Sequence, residues 1–234
     1  MESSRVLYNY LADRYDLRQQ NPSTEILRKK EIGLIKKYSN GIALDLGCGT
    51  GYHLDFLDRP IGLDVSEKMV KIAEKKNKPL IQAEIENIPF KDSSINTALC
   101  FYSTLNMINL SQGIKEIHRI LIDNGLVLIS VTSINDFNKK DEGKPTRTKK
   151  FRLEGKRIQI NLFEKNEIIH AFRKNGFRLV FFDSIFRLQK PRWGNFRKFS
   201  ATEKLKMKID RIFPKEWGNF YLFVFEKTAS KATW

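Results

Sequence analysis

Ile42-Ala43-Leu44-Asp45-Leu46-Gly47-Cys48-Gly49-Thr50-Gly51, followed closely by Ile61-Gly62-Leu63-Asp64, is the stretch on which the fold turns. Residues 42–46 form a short apolar run, which reads as a buried strand. Gly47–Gly51 make a glycine-rich turn, and a helix is expected near Tyr52–Leu57. Residues 61–64 read as a second short strand that ends on a carboxylate. Glycines between a strand and a helix permit positive φ and let a ligand approach the backbone. In open α/β sheets that position lies at the carboxyl ends of the strands, where ligands bind. The plain alternative is a tight strand-to-helix turn with no ligand.

Spacing narrows the choice. A dinucleotide fingerprint needs a third glycine where Tyr52 stands, and no G-x-x-x-x-G-K-[ST] phosphate loop occurs. The pattern is instead acid-x-G-x-G-x-G with Asp64 closing the next strand and Glu84 the third. A carboxylate at Asp64 can accept both hydroxyls of a ribose. The expected ligand is adenosine-like and lacks a pyrophosphate.

The rest of the chain extends the alternation outward. Leu7, Tyr10, Leu11 and Tyr15 mark an opening amphipathic helix. Asn21-Pro22-Ser23 breaks it, and Ser23 or Thr24 is expected to cap a second helix carrying Leu27, Leu34, Ile35 and Tyr38. Ser66 caps a helix whose Met69, Ile72 and Ala73 face inward. Strands are expected over 79–84, 97–101, 126–131, 178–182 and 220–225, with helices over 114–121 and 166–174. Strands spaced by helix-length crossovers imply an α/β fold, a seven-stranded parallel sheet with helices on both faces. One domain over 1–234 accommodates it, with a helical lid over 1–40 and a basic insertion over 186–218 between the last two strands.

The 234 residues are 41% hydrophobic and 29% charged, ordinary for a globular chain, and no run approaches the length of a membrane span. The first thirty residues lack an apolar leader core. Cys48 and Cys100 have no metal-ligand spacing and read as reduced thiols of a cytoplasmic protein. Net charge is +15 and is concentrated late. Residues 139–157 hold nine Lys/Arg against three Asp/Glu, and residues 187–215 hold ten against two. Such clustering suits an anionic partner, although a solvated basic face is the simpler alternative.

Leu44–Gly51 resembles the first motif of the class I S-adenosylmethionine-dependent methyltransferases, Gly62–Ser66 the second and Ala83–Phe90 the third. Glu116–Leu121 with Asn124-Gly125 is similar to their late helix and glycine turn. The resemblance implies a doubly wound, Rossmann-like, seven-stranded and mostly parallel sheet with an antiparallel last strand, and S-adenosylmethionine as cofactor. Asp45 with the backbone of Gly47, Cys48, Gly49 and Gly51 would hold its methionine portion. Asp64, with Val65 beside it, would bind ribose, Glu84 and the Ile85 N–H would contact adenine, and Phe101 or Tyr102 would border the sulfonium. Two positions depart from the family pattern: Glu84 replaces the usual Asp, and Ile95-Asn96 replaces an aromatic-Asp pair.

Methyl transfer from a sulfonium is an in-line displacement that needs alignment and dryness, and a base only if the acceptor must lose a proton. Tyr102 and Asn106, after the fourth strand, are candidates for lining the acceptor pocket, and His53 for facing cofactor or acceptor. His118 and His170 read as structural. Tyr8 and Tyr15 either close a lid or simply pack. Ser200-Ala201-Thr202-Glu203 is a capping box for a helix with Leu205, Ile209, Ile212 and Phe213 on one face and Lys204, Lys208 and Arg211 elsewhere, flanked by Trp193, Phe196, Phe199 and Trp217.

Aromatics mixed with cations suit RNA, and the same combination suits an anionic membrane interface. The leading acceptor expectation is therefore tRNA through segments 139–157 and 187–215, with a membrane-associated quinone or lipid, or a small molecule, as the alternatives. Lys156–Gly176 with Trp217–Phe220 loosely resembles the wobble-uridine carboxymethyl tRNA methyltransferases. A catalytically inactive cofactor-binding protein is the alternative of another class.

Overall fold

The computed structural model describes residues 4–137, 147–153, 155–188, 191 and 198–229. Two helices lead: α1 (Ser4–Arg18) and α2 (Pro22–Tyr38). The α1 stripe buries Leu7, Leu11 and Ala12 and leaves Tyr10 exposed, so Tyr10 is not part of the inward face. The cap of α2 is Asn21 rather than Ser23 or Thr24: its side chain accepts the Thr24 N–H, and Pro22 occupies the first turn, where a missing N–H costs nothing.

Beyond them come β1 (Ile42–Leu46), β2 (Arg59–Asp64), α3 (Glu67–Ala73), β3 (Leu80–Gln82), β4 (Ile95–Cys100), α4 (Leu110–Ile120) and β5 (Leu121–Thr132). Then follow β6 (Thr148–Leu153), β7 (Lys156–Asn161), α5 (Lys165–Lys174), β8 (Phe177–Ile185), α6 (Ala201–Ile209) and β9 (Phe220–Lys227).

Seven strands form one sheet in the order β3-β2-β1-β4-β5-β9-β8. The pairs from β3 to β5 are parallel, and β9 runs antiparallel to both of its neighbours. This is the expected Rossmann-like sheet with an antiparallel last strand. Strand alternation sorts the core to two faces. Leu128, Leu222 and Val224 pack with Leu27, Leu34 and Ile35 of α2. Val127, Ile129, Phe223 and Phe225 pack with Ile114 and Ile117 of α4 and with Ile168 and Phe172 of α5. Phe172 stacks on Phe225 with centroids 4.3 Å apart.

Several local expectations change. Residues after the glycine turn form only a single 3-10 turn, His53–Phe56, in place of a helix. β3 is three residues long, so Glu84 sits in the turn beyond it. The Asp123-Asn124-Gly125 turn is a bulge inside β5: the β4–β5 register passes from Ile95↔Leu121 to Thr97↔Leu126, with Asn124 at φ 60°. The hairpin β6–β7 was not anticipated and forms its own two-stranded sheet. It carries part of the first basic segment, whose residues 139–146 and 154 lie outside the described residues, as do Trp193 and Phe196. No helix among the described residues is long and apolar enough to cross a membrane.

Candidate active site

The order reverses between β1 and β4, and there the chain ends of β1, β2 and β4 open into a cleft, as the crevice rule for open sheets requires. Gly47 begins the glycine turn at φ +75°, and a Cβ on it would lie 2.6 Å from the Thr104 methyl. Only glycine fits there. The Gly47 and Cys48 N–H groups both donate to Leu63 O, tying the turn to β2.

Asp64 completes that tie. One carboxylate oxygen accepts the Gly49 N–H at 2.9 Å and the other the Ser66 N–H at 2.8 Å, which leaves lone pairs facing the cleft. Burial raises its pKa, and the Ser66, Gly49 and Val65 amides oppose that rise. Asp64, Val65, Glu84 and Ile85 line a cavity of about 400 Å³ together with Gly47 and Gly49. Its outer wall is α1, through Tyr8 and Tyr15. That helix is fastened over the glycine turn by Thr50 Oγ1 donating to Asp16 (2.6 Å) and over α3 by Ser66 Oγ donating to Asn9 (2.7 Å).

A narrower recess continues from the cavity, lined by Asp45, Cys48, Thr50, His53, Phe101, Tyr102 and Arg28. Asp45 is 1% exposed, and its Oδ2 has no hydrogen-bond partner. Burial pushes this carboxyl up to about 6, with His53 opposing and Glu31 and Asp64 adding to the rise. A buried carboxylate oxygen without a donor is costly, and a ligand ammonium is the group that would satisfy it.

His53 lies 4.0 Å from Asp45 through Nδ1 and 3.1 Å from Glu31 through Nε2. Burial lowers its pKa, but the Glu31 hydrogen bond and charge, with Asp45, hold it above the ordinary value. Glu31 is fully buried and also accepts from Ser130 Oγ at 2.5 Å and from the Tyr102 N–H at 3.3 Å. It was missed in the sequence. The signal was there: a carboxylate on the inward stripe of α2, between Leu27 and Leu34-Ile35.

Tyr102 and Ser103 follow β4 at φ 56° and 67°, two consecutive non-glycine residues in the left-handed region. Such strain, about 1–3 kcal/mol per residue, persists where surroundings enforce it. Here β5 does so: Ser130 Oγ accepts the Tyr102 N–H at 2.7 Å, and Ser103 Oγ meets Thr132 Oγ1 at 2.6 Å.

The structure thus brings together Asp45, Gly47, Cys48, Gly49, Asp64, Val65, Glu84, Ile85, Phe101, Tyr102 and His53 around one cavity and its recess. Two candidates fall elsewhere. The Gly51 Cα faces Leu54, Lys76 and Ala73. Asn106 is fully buried; its amide NH2 donates to the Thr132 and Asn161 carbonyls, and its oxygen accepts the Thr132 N–H. It is a strut between β5 and β7, because all of its polar atoms are spent there. His118 packs edge-on against Phe177, and His170 is exposed on α5.

A family model described as a methyltransferase domain matches residues 44–129. The uncharacterized protein MJ1252 of Methanocaldococcus jannaschii is 33% identical over 192 residues, 74% of this chain and 76% of that one. The chain belongs to the class I S-adenosylmethionine-dependent methyltransferases.

The methyltransferase is also similar to the ubiquinone/menaquinone biosynthesis C-methyltransferase UbiE of Citrifermentans bemidjiense, at 28% identity over 55% of this chain and 62% of the relative. A solved S-adenosylmethionine-dependent methyltransferase from Listeria monocytogenes shares the fold, with TM-score 0.63 and 18% identity over 86% of this chain and all of that one. The residues fit the family's cofactor, S-adenosylmethionine. The donorless Asp45 oxygen matches an amino group, and the Asp64 lone pairs match a ribose diol. Arg28 lies over the Tyr52 ring at 3.7 Å and lines the same recess, a cation suited to a carboxylate.

Proposed function

We propose that this S-adenosylmethionine-dependent methyltransferase acts on a small lipophilic acceptor that arrives with its nucleophile already activated. When bound, the cofactor supplies an electrophilic methyl group on a sulfonium. The chain's own contribution is alignment and exclusion of water, effects that can supply several kcal/mol. Asp45 and Asp64 would orient the donor from opposite ends of the cleft, and α1 shields it from solvent.

The observation that carries the acceptor reading is that the Tyr102 and Tyr8 hydroxyls on the cleft wall are already committed. The Tyr102 hydroxyl pairs with Thr24 Oγ1 at 3.0 Å, and burial pushes its pKa up to about 12. The Tyr8 hydroxyl donates to Met107 Sδ at 3.1 Å, and burial pushes its pKa well above the phenol range. A neutral phenol so held does not take a proton from an acceptor near neutral pH. Tyr8, Tyr15, Met107 and Ile108 give that wall an aromatic and apolar surface. The UbiE relative is named for quinone biosynthesis, which is chemistry of the proposed class.

Methyl-labelled S-adenosylmethionine incubated with the enzyme and, separately, a total lipid extract, bulk tRNA and an aqueous metabolite pool tests the reading. Label is expected in solvent-extractable product. Label confined to tRNA or to aqueous metabolites overturns it.

A further inference from the structure

The segment between β8 and β9 is strongly basic, with ten Lys/Arg against two Asp/Glu over 187–215, and the cofactor cleft does not use it. Its orientation is fixed from below. Met207 of α6 packs into the core on the α2 side of the sheet. Asp210, 6% exposed, accepts the Arg187 N–H at 2.7 Å and the Leu188 N–H at 3.1 Å. The buried Arg187 guanidinium donates to the Arg211 and Phe213 carbonyls at 3.0 Å, and it pairs with Asp183 at 2.5 Å. An arginine spent on carbonyls beyond a helix end satisfies acceptors that have no partner within the helix.

With Met207 and Asp210 turned inward, the opposite side of the helix faces out. Leu205, Ile209 and Ile212 recur there at spacings of four and three, and they are 58%, 38% and 74% exposed. Trp217, 54% exposed, stands just beyond, 6.1 Å from the Phe213 ring. No residue of α6 is buried, and the helix holds its aliphatic stripe outward. Lys204, Lys206, Lys208 and Arg211 flank that stripe and are exposed.

We infer that α6 and the turn after it dock the chain on an anionic lipid-bilayer surface, with Leu205, Ile209, Ile212 and Trp217 entering the interface and the flanking lysines reaching lipid phosphates. Two features select this occupant. An outward aliphatic row rimmed by long cationic side chains is the composition of an interfacial helix, whose lysine stems lie along the apolar layer while their ammonium groups reach the headgroups. RNA offers no apolar layer for Leu and Ile to enter, since it is bound through phosphate pairing and aromatic stacking. A second copy of the chain would bring the same cluster of ten Lys/Arg over 187–215, and like charges would face one another. The docking surface stands on α6 and its mounting, so it can fail while the acceptor reading stands, and the reverse.

Co-sedimentation with vesicles at 0.15 M salt tests the inference, using phosphatidylcholine alone and phosphatidylcholine with one quarter phosphatidylglycerol. The native chain is expected to bind the anionic vesicles at least tenfold more tightly. Ile212→Glu with Leu205→Glu, and separately Lys204, Lys206 and Lys208→Gln, should each lower that binding at least tenfold. None of these residues lines the cleft, so S-adenosylmethionine affinity by calorimetry is expected to be unchanged and certifies the fold. Equal binding to neutral vesicles, or binding that survives the glutamate substitutions, overturns the inference. So does absence of vesicle binding together with tight tRNA binding that is insensitive to Ile212→Glu, or with a dimer in light scattering that Ile212→Glu dissolves.

Discussion

Asp45 makes cofactor affinity depend on pH, and the dependence can be worked out from its surroundings. Its carboxyl is pushed up to about 6 from 3.8, chiefly by burial. Because the folded value is raised, the neutral carboxyl is the form that the cofactor-free fold favours. Stability is therefore lost as pH rises from the unfolded value through 6, by about 3 kcal/mol for a shift of this size. An ammonium at Oδ2, which has no hydrogen-bond donor, favours the ionised form instead. Binding of S-adenosylmethionine must then be accompanied by release of one proton below pH 6, and its affinity should rise about tenfold between pH 5 and 7.5, levelling off above 6.

Isothermal titration in buffers of different ionisation enthalpy reads both the affinity and the proton count. Asp45→Asn should abolish the slope and weaken binding at pH 7.5 by about ten- to a hundredfold, the worth of a hydrogen bond to a charged group. A native affinity that is flat from pH 5 to 7.5, with no proton released, refutes the assignment of the ammonium to Asp45.

Other substitutions probe neighbouring parts of the site. Asp64→Ala removes the acceptor of the Gly49 and Ser66 N–H groups along with the ribose partner, so cofactor binding should weaken at least tenfold, and unchanged affinity in calorimetry would sink the ribose role. Gly47→Ala places a methyl against Thr104 at φ +75° and should cost about 1–3 kcal/mol, lowering the melting temperature by several degrees; an unchanged melting curve contradicts the close approach. Glu31→Ala leaves His53, Ser130 Oγ and the Tyr102 N–H without their buried acceptor, and about 3–5 kcal/mol should be lost in urea unfolding. Glu31→Gln should bring the His53 imidazole pKa down, as read by NMR titration. With a raised folded pKa, His53 contributes stability that is complete below its unfolded value and lost as pH rises through the folded one, so the deficit of the Gln variant should shrink on the alkaline side.

The central β1–β5 sheet and the donor half of the site were legible because local pattern and burial agree there. β1 is buried almost throughout, so an apolar run marks it, and Gly47 is demanded by Thr104 and by its φ. Asp64 was legible because it ends a strand where a polar residue has no packing role. The β6–β7 hairpin was not, since Lys149, Lys150, Arg152, Lys156 and Arg157 interrupt any apolar alternation. The 3-10 turn at His53–Phe56 carries the same apolar spacing as a longer helix, and the spacing cannot report its length. Asn106 looked like a pocket residue because it follows β4. Its role as a strut depends on β7, which is distant in sequence. The outward face of α6 was hidden for a related reason: an aliphatic row at helical spacing reads as core until the partners of Met207 and Asp210 show which side is inward.

The donor assignment is tested most directly by titrating the purified chain with S-adenosylmethionine and with NAD side by side. Tyr52 in place of a third glycine and the donorless Asp45 oxygen predict one saturable S-adenosylmethionine site per chain and no binding of NAD. Saturable NAD binding, or no heat with S-adenosylmethionine across pH 6 to 8, would contradict the account.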